Sequence, residues 1–478
     1  MSTNSIGRVK GVLVVTSNQD VIVVGSGLAG LACAFELADQ GRRVLVLEAG
    51  AVAGGRTSNW KQGSEPQSHH FPPRPSPSGM LVESGFHKFL GFYEDLPKLL
   101  RRAGIDLDEM LTWEKTMEIR IPDGKTAGEF GIAPVKAPLK TIGGLLGNND
   151  ILSYAEKLSL LPFLAAGFKD HAANPEELDR CSVKEYAERH GVHPDALSHL
   201  LEPLTGGILF LPPERFSALV FFSLFAPAAA KVLKMQIGGF NGGMRDVMVE
   251  PLIEAIRDRG GEVRLNSPVR GLLRDGEAVR GVRLDSGDLR AGHVVVAADL
   301  GSAQRLLRPE FGTAPQWQPF FALQTMPHIT LQLELTEPLL PEDRTEFGPG
   351  TIWGSFTEQS RTTFRHVPGR VSAILTPSDE LMALTDEEIF ERACLDAVRL
   401  GLELRPKVTE YRVIRSRDLF YSVQPGNDRH RPEQRTGVPG LTLAGDYIRQ
   451  SMYTTMEGAV RSGLLAAEAV IEALQTQA

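Results

Sequence analysis

Val21–Val24 is an unbroken apolar run that stops at a glycine, the pattern of a short strand buried on both faces. From about Leu28 apolar residues carry a helix as far as Gly41, a natural C-terminal stop. A second apolar strand, Val44–Leu47, ends at Glu48. Far along the chain the pattern returns, predicting strands at Glu262–Leu265, Val269–Arg274 and Val279–Leu284, with Asp275-Gly276 as a hairpin turn and His293–Ala297 as a last strand. Near the end, Thr442–Ala444 make a short strand closed by Gly445-Asp446. Ala459, Gly463, Ala466, Val470 and Ala473 then mark one face of a final helix whose first turn lies near Met456. The longest uncharged apolar stretch, Phe216–Ala230, lies between Arg215 and Lys231. It is shorter than the ~20 residues of a membrane span but apolar enough to dip into a bilayer surface.

Between the first strand and helix, Gly25, Gly27 and Gly30 form G-x-G-x-x-G. The first permits a tight turn, the second lets a pyrophosphate approach the backbone at Leu28-Ala29, and the third lets helix pack closely on strand. Glu48, followed by Ala49, sits about 20 residues on, where a carboxylate accepts hydrogen bonds from a ribose diol and disfavours a 2′-phosphate. Strand, glycines, helix, second strand and acid together predict dinucleotide binding on an α/β, Rossmann-like domain. Gly54-Gly55-Arg56-Thr57 adds a glycine pair for close backbone approach and an arginine able to neutralise a phosphate. At the last helix, free N–H groups and the positive dipole end would stabilise negative charge.

The glycine doublet just past the second strand resembles flavoproteins of the amine oxidase and carotenoid desaturase superfamily, which bind FAD rather than NAD. The resemblance extends through Val82-Glu83-Ser84-Gly85-Phe86-His87-Lys88-Phe89-Leu90-Gly91, the helix from Pro97 to Ile105, the apolar stretch PPERFSALVFFSLFAPAAAKVLKM and Met456-Glu457-Gly458-Ala459-Val460-Arg461-Ser462-Gly463. The chain is thus similar to plant-type phytoene and ζ-carotene desaturases and their bacterial relatives, including hydroxysqualene dehydroxylases. The resemblance implies a GR2-type FAD-binding domain in which the backbone near Val269 contacts adenine, Asp446 binds the ribitol or pyrophosphate side, and the turn at Met456 meets the flavin N1–O2 edge. It places His87 beside the ring as a candidate proton acceptor, and Tyr453 beside substrate or acceptor space. The implied reaction is dehydrogenation of a C30–C40 isoprenoid, with hydride passing to flavin N5 and a quinone or another acceptor reoxidising the flavin. Phe210, Phe221, Phe222 and Phe225, with Phe216 and Met235, are the candidate lining of a dry apolar channel. An amine oxidase would carry an aromatic residue directly before M-E-G-A; Thr454-Thr455 stand there instead, and no cysteine in the last 80 residues can tether the flavin. Amine or protoporphyrinogen-type oxidation by O2, and non-redox polyene isomerisation, are the competing readings.

The charge balance of −8 over 478 residues argues against a nucleic-acid partner. Cys33, Cys181 and Cys394 form neither a disulfide framework nor a metal set, consistent with a reducing, cytoplasmic compartment, and the N-terminal residues lack a secretory pattern. The Pro- and Ser-rich stretch Gln62–Gly79 reads as an exposed loop, and its His69-His70 pair lacks partners for a metal. Arg412, Arg415, Arg417, Arg429, Arg431 and Arg435 read as a solvated surface. The expected organisation is a discontinuous FAD-binding domain (residues 21–95, 245–300 and 436–478) and an α+β substrate domain of mixed sheet and apolar helices (96–244 and 301–435). A lipophilic substrate and peripheral membrane contact complete the expectation.

Overall fold

The computed structural model describes residues 6–9, 12–61, 79–135 and 147–477. The Gln62–Gly79 loop and its histidine pair therefore lie, apart from Gly79, outside the described residues. An eight-stranded sheet carries the nucleotide motifs, in the order Glu262–Arg264, Val44–Leu47, Val12–Val24, Gly287–Val296, Ala278–Leu284 and Val269–Asp275, with Ile6–Val9 pairing to the start of Val12–Val24 and Leu441–Leu443 to the end of Gly287–Val296. Segments from the beginning, middle and end of the chain thus meet in one sheet. The first strand is longer than its apolar run, beginning at Val12 and pairing with both Val44–Leu47 and Gly287–Val296. In the predicted hairpin, Asp275 pairs with Ala278, so Gly276 and Glu277 form the loop, one residue later than expected.

Val21, Ile22 and Val23 have no exposed surface, as befits a parallel strand covered on both faces. The helix Leu28–Asp39 packs on one side and is crossed by the last helix, Met456–Gln477. Their approach depends on Gly463, where any side chain would overlap the Ala29 carbonyl.

The second sheet is seven-stranded: Val408–Tyr421, Thr325–Leu335, Gly369–Leu375, Trp353–Glu358, Thr345–Phe347, Thr116–Arg120 and Ala127–Gly131. Alternation along Thr325–Leu335 sends Ile329, Leu331, Leu333 and Leu335 into a core shared with the helix Asp386–Arg399. His328, Thr330 and Gln332 occupy the opposite face, yet are also fully buried. That second, polar face packs against residues 83–85, as Thr330 Oγ1 donates to the Ser84 carbonyl at 3.0 Å and the Glu83 amide donates to Gln332 Oε1 at 3.1 Å.

The apolar stretch forms the helix Ala218–Ala230, starting two residues after Phe216. It packs on the helix Tyr154–Ala173, and Phe163, Phe168, Tyr186, Phe221 and Phe222 interlock with ring centroids 5.1–5.9 Å apart. Leu219, Val220, Phe221 and Phe222 are buried, so this part of the stretch cannot dip into a bilayer as expected. Exposed apolar side chains lie beside it, Tyr154, Leu158 and Leu161 along one face of the neighbouring helix and Val232 and Leu233 just past Ala230. No helix of the described residues is long and apolar enough to cross a membrane.

Candidate flavin and substrate site

The chain leaves the first strand through Gly25, at φ +106°, where a Cβ would come within 2.8 Å of the Ala297 carbonyl oxygen. At Gly30 a Cβ would overlap the Gly25 carbonyl, so this glycine sets the distance between helix and turn. Gly27 differs: a Cβ there would meet nothing within 4 Å. It caps the helix Leu28–Asp39 without a side-chain hydrogen bond, leaving the positive helix end facing open space. The glycine doublet lies against this turn, with the Gly54 amide donating to the Ser26 carbonyl at 3.0 Å and Gly55 in the left-handed region at φ +56°. Gly25 and Gly55 thus let the backbone fold tightly around Gly27, the position that opens onto free space.

Glu48 stands at the end of the second strand. Its carboxylate accepts from the Ser26 amide (3.0 Å), the Ser26 hydroxyl (2.7 Å) and the Gly50 amide (2.8 Å), which tie it to the glycine turn. The Glu48 carbonyl accepts from Ser267 N–H at 2.8 Å, bringing the half-buried Val269 to the same edge, and Ala49 is exposed there. Thr57 caps the doublet, its hydroxyl donating to the Gly54 carbonyl at 2.9 Å.

Arg56 and Asp446, predicted separately, form an ion pair at 2.8 Å. The other Asp446 oxygen, Oδ2, is buried with no protein donor, as are the Tyr447 and Thr454 hydroxyls. Buried oxygens of this kind are uncommon without a partner. Beside the glycine turn and an arginine, they fit the phosphates and polyol of a dinucleotide. Gly445, at φ +147°, permits the turn and donates its N–H to Ser462 at 2.8 Å. Thr454 is held at φ +36°, a costly conformation for a threonine, immediately before the last helix. Thr455 caps that helix: its hydroxyl accepts the Gly458 N–H at 3.0 Å, and Met456 is buried in the first turn.

The His87 ring nitrogen Nδ1 lies 2.8 Å from the Gly85 carbonyl, so the hydrogen sits on Nδ1 and Nε2 keeps its lone pair. Burial, helped by the nearby Arg56 charge, pushes the imidazole down to about 4, so it is neutral at physiological pH. The next residue, Lys88, pairs with buried Glu114 at 2.7 Å and donates to Thr357 at 3.0 Å. The four phenylalanines separate. Phe210, itself at φ +65°, packs against His328 and Phe420, and the Arg56 guanidinium lies 4.7 Å over the Phe420 ring. Phe221 and Phe222 sit in the aromatic core of the helices, and only Phe225 is half-exposed.

Tyr453 donates to Asp428 at 2.7 Å under the Arg431 guanidinium, 4.2 Å above its ring. Burial raises its phenol well above the ordinary range, so it stays protonated. Arg431 is the main correction to the arginine-rich surface: it is 3% exposed and donates to the carbonyls of Tyr447, Ile448 and Gln450. It braces the turn after Gly445-Asp446 from inside. Arg412 and Arg415 are half-buried in ion pairs, while Arg417, Arg429 and Arg435 are exposed as expected. Sequence spacing offered no signal for Arg431, Ser26 or Ser462, whose roles depend on contacts across turns.

Comparison with known proteins agrees with this geometry. The chain is 25% identical to the 15-cis-phytoene desaturase of Synechococcus elongatus over 94% of its own length and 95% of that protein. It is 27% identical to the zeta-carotene desaturase of Zea mays, over 93% of this chain and 82% of that one. Among solved structures, an oxidoreductase from Methanosarcina mazei superposes with a TM-score of 0.72 at 17% identity, covering 95% of this chain and 100% of that one. Putrescine oxidase bound to putrescine superposes at 0.69 and 20% identity, covering 96% and 100%. The profile described as flavin containing amine oxidoreductase matches residues 28–471, and the chain belongs to that family of flavin-dependent oxidoreductases.

Proposed function

We propose that this protein is an FAD-dependent desaturase that dehydrogenates a long apolar isoprenoid, such as a carotene precursor. The observation that carries the reading is the start of the last helix, where a threonine cap and a strained threonine stand where an amine-binding aromatic wall would be built. The likeness to phytoene and zeta-carotene desaturases over more than nine-tenths of the chain supports it.

Gly27, Gly55 and Arg56 would hold the diphosphate, Glu48 the adenosine ribose, the backbone at Val269 the adenine, and Asp446 the ribityl side. FAD would supply a hydride acceptor at N5. The chain's part is to hold the two reacting carbons beside that atom, exclude water and receive one proton. His87 keeps a lone pair on Nε2 at neutral pH. It is a weak base, which suffices where the departing proton sits next to a carbon losing hydride. Phe210 and Phe420 supply apolar walls beside Arg56, and Phe225 marks the half-open end of the aromatic helices. A quinone or similar acceptor takes the electrons afterwards.

The substrate's home is a bilayer, and the exposed face Tyr154, Leu158, Leu161, Val232 and Leu233 is the surface for peripheral contact with it. The double variant Leu158→Glu/Leu161→Glu is expected to leave phospholipid vesicles while keeping its fold; unchanged partitioning would exclude this face. The reaction itself is tested by anaerobic mixing. Stoichiometric bleaching of the flavin by a C30–C40 polyene is expected. Bleaching by amines or porphyrinogen alone would overturn the reading, and polyene isomerisation without net bleaching would favour a non-redox role.

A further inference from the structure

The stretch Met456-Glu457-Gly458-Ala459 puts an acid in the first turn of the last helix. Glu457 is 2% exposed. Its carboxylate accepts three backbone N–H groups from another helix start: Glu94 at 2.9 Å and Asp95 at 2.8 Å on Oε1, and Leu96 at 2.9 Å on Oε2. These are the orphan donors of the helix Asp95–Arg102, more than 360 positions away in the chain. Arg461, one turn further, binds Asp95 at 2.7 Å and stands 3.9 Å from Glu457. The contact continues outward, because the Glu94 carboxylate pairs with Lys231, the residue that ends the apolar helix Ala218–Ala230.

An anion in the first turn of a helix ordinarily sits near that helix's own N-terminal donors. Here the charge is spent on the neighbouring helix start, so the donors of the last helix keep their positive field for another anion. Thr455 takes the Gly458 N–H with its hydroxyl, so the acid of this turn caps the neighbouring helix while a neutral side chain caps its own.

We infer that Glu457 is a positioning residue for the oxidoreductase reaction. It bolts the flavin-facing turn onto the Asp95–Arg102 helix and carries its own charge away from the place where reduction adds negative charge. The inference rests on the proposed placement of the flavin against this turn.

The test compares flavin-loaded native protein with Glu457→Gln, Arg461→Met and a remote core variant, Trp353→Phe. Trp353, fully buried in the second sheet, donates to the Ala393 carbonyl of the helix Asp386–Arg399 at 2.9 Å and belongs to a different core cluster from Met456. Flavin midpoint potential, kcat, KM and melting temperature are measured for each. Glutamine has one acceptor oxygen for three donors. Glu457→Gln is therefore expected to displace the potential and lower kcat about tenfold, with KM within about twofold. Arg461→Met should move both in the same direction by less. Trp353→Phe should lower the melting temperature and leave the potential in place. Native potential and kcat in both Glu457→Gln and Arg461→Met would reduce Glu457 to a helix cap and overturn the inference, as would an equal shift of potential in Trp353→Phe. If Glu457→Gln does not fold, Arg461→Met decides. A native protein that neither retains nor takes up flavin would overturn the cofactor reading itself, a result visible in the absorption spectrum before any variant is made.

Discussion

The two sheets of this molecule bury comparable strands and serve different ends. The central strands of the nucleotide sheet, Val21–Val24, Val44–Leu47 and Val294–Val296, are apolar on both faces, and the chemistry lies in the backbone at their ends: glycine turns, helix starts, one acid and one ion pair. The second sheet is apolar on one face only. Its other face buries His328, Thr330, Gln332, Ser372 and Arg370, and through Thr330 and Gln332 it holds residues 83 and 84, at the start of the loop that carries His87. Backbone geometry is encoded by a few residues close in sequence, whereas a buried polar face needs partners about 250 positions apart. The first kind of site is readable and permissive around it; the second is hidden and every member matters.

The glycine turn offers the sharpest test. Gly30→Ala is expected to abolish folding of the flavin-loaded protein, since its Cβ overlaps a backbone carbonyl that cannot move aside, costing more than the ~3 kcal/mol of ordinary overpacking. Gly27→Ala, three residues before it, has open space around the added methyl and an extended backbone at φ −65° and ψ 171°. Its apo melting temperature should match the native one while flavin affinity falls at least about tenfold. Calorimetry with and without FAD checks both. Equal behaviour of the two variants would mean that Gly27 is a packing glycine and the phosphate site lies elsewhere.

The aromatic helices repeat the contrast at smaller scale. Phe222 is fully enclosed, and its ring fills the space a side chain at Gly167 would need. Phe222→Ala should cost about 4 kcal/mol in urea unfolding. Phe225→Ala, at a half-exposed position, should cost about 1 kcal/mol and act instead on KM for the polyene. A large stability loss at Phe225 with unchanged KM would return it to the core and remove it from the channel.

These cases show how far the chain could be read. The nucleotide motifs, the three-part sheet and the last helix were all legible, because each is a local period or a local turn. The pairing of Arg56 with Asp446 was not, although both residues were singled out, since nothing in sequence brings positions 56 and 446 together. Phe221 and Phe222 were chosen for apolarity alone, which cannot tell a channel wall from a core. Arg431 looked like surface because its neighbours Arg429 and Arg435 are surface; its guanidinium turns inward only because three carbonyls of the 447–450 turn await it. The strand Thr325–Leu335 carries its own signal, the alternation of Ile329, Leu331, Leu333 and Leu335 with polar residues, though no motif marks it.

A pH-dependent effect probes the buried polar face directly. Glu83 is 1% exposed, accepts from the Gln359 amide at 2.9 Å and lies near Arg370 and Lys88. Burial outweighs these partners and raises its carboxyl from 4.5 to about 7. In the unfolded chain the group loses its proton at the lower value, whereas the folded protein keeps it until the higher one. Between those values the native state binds more protons, so stability falls as pH rises across the window and stays lower above it. Glu83→Gln removes this linkage while keeping an acceptor for Gln359. Its stability relative to the native protein should rise by about 2 kcal/mol between pH 4.5 and 7.5, since the titrations of the unfolded and folded carboxyl are each only partly complete within that range. Urea midpoints across that range check it. Parallel curves for the two proteins would show that Arg370 and Lys88 keep Glu83 ionised, making the polar face a paired charge cluster rather than a proton-holding one.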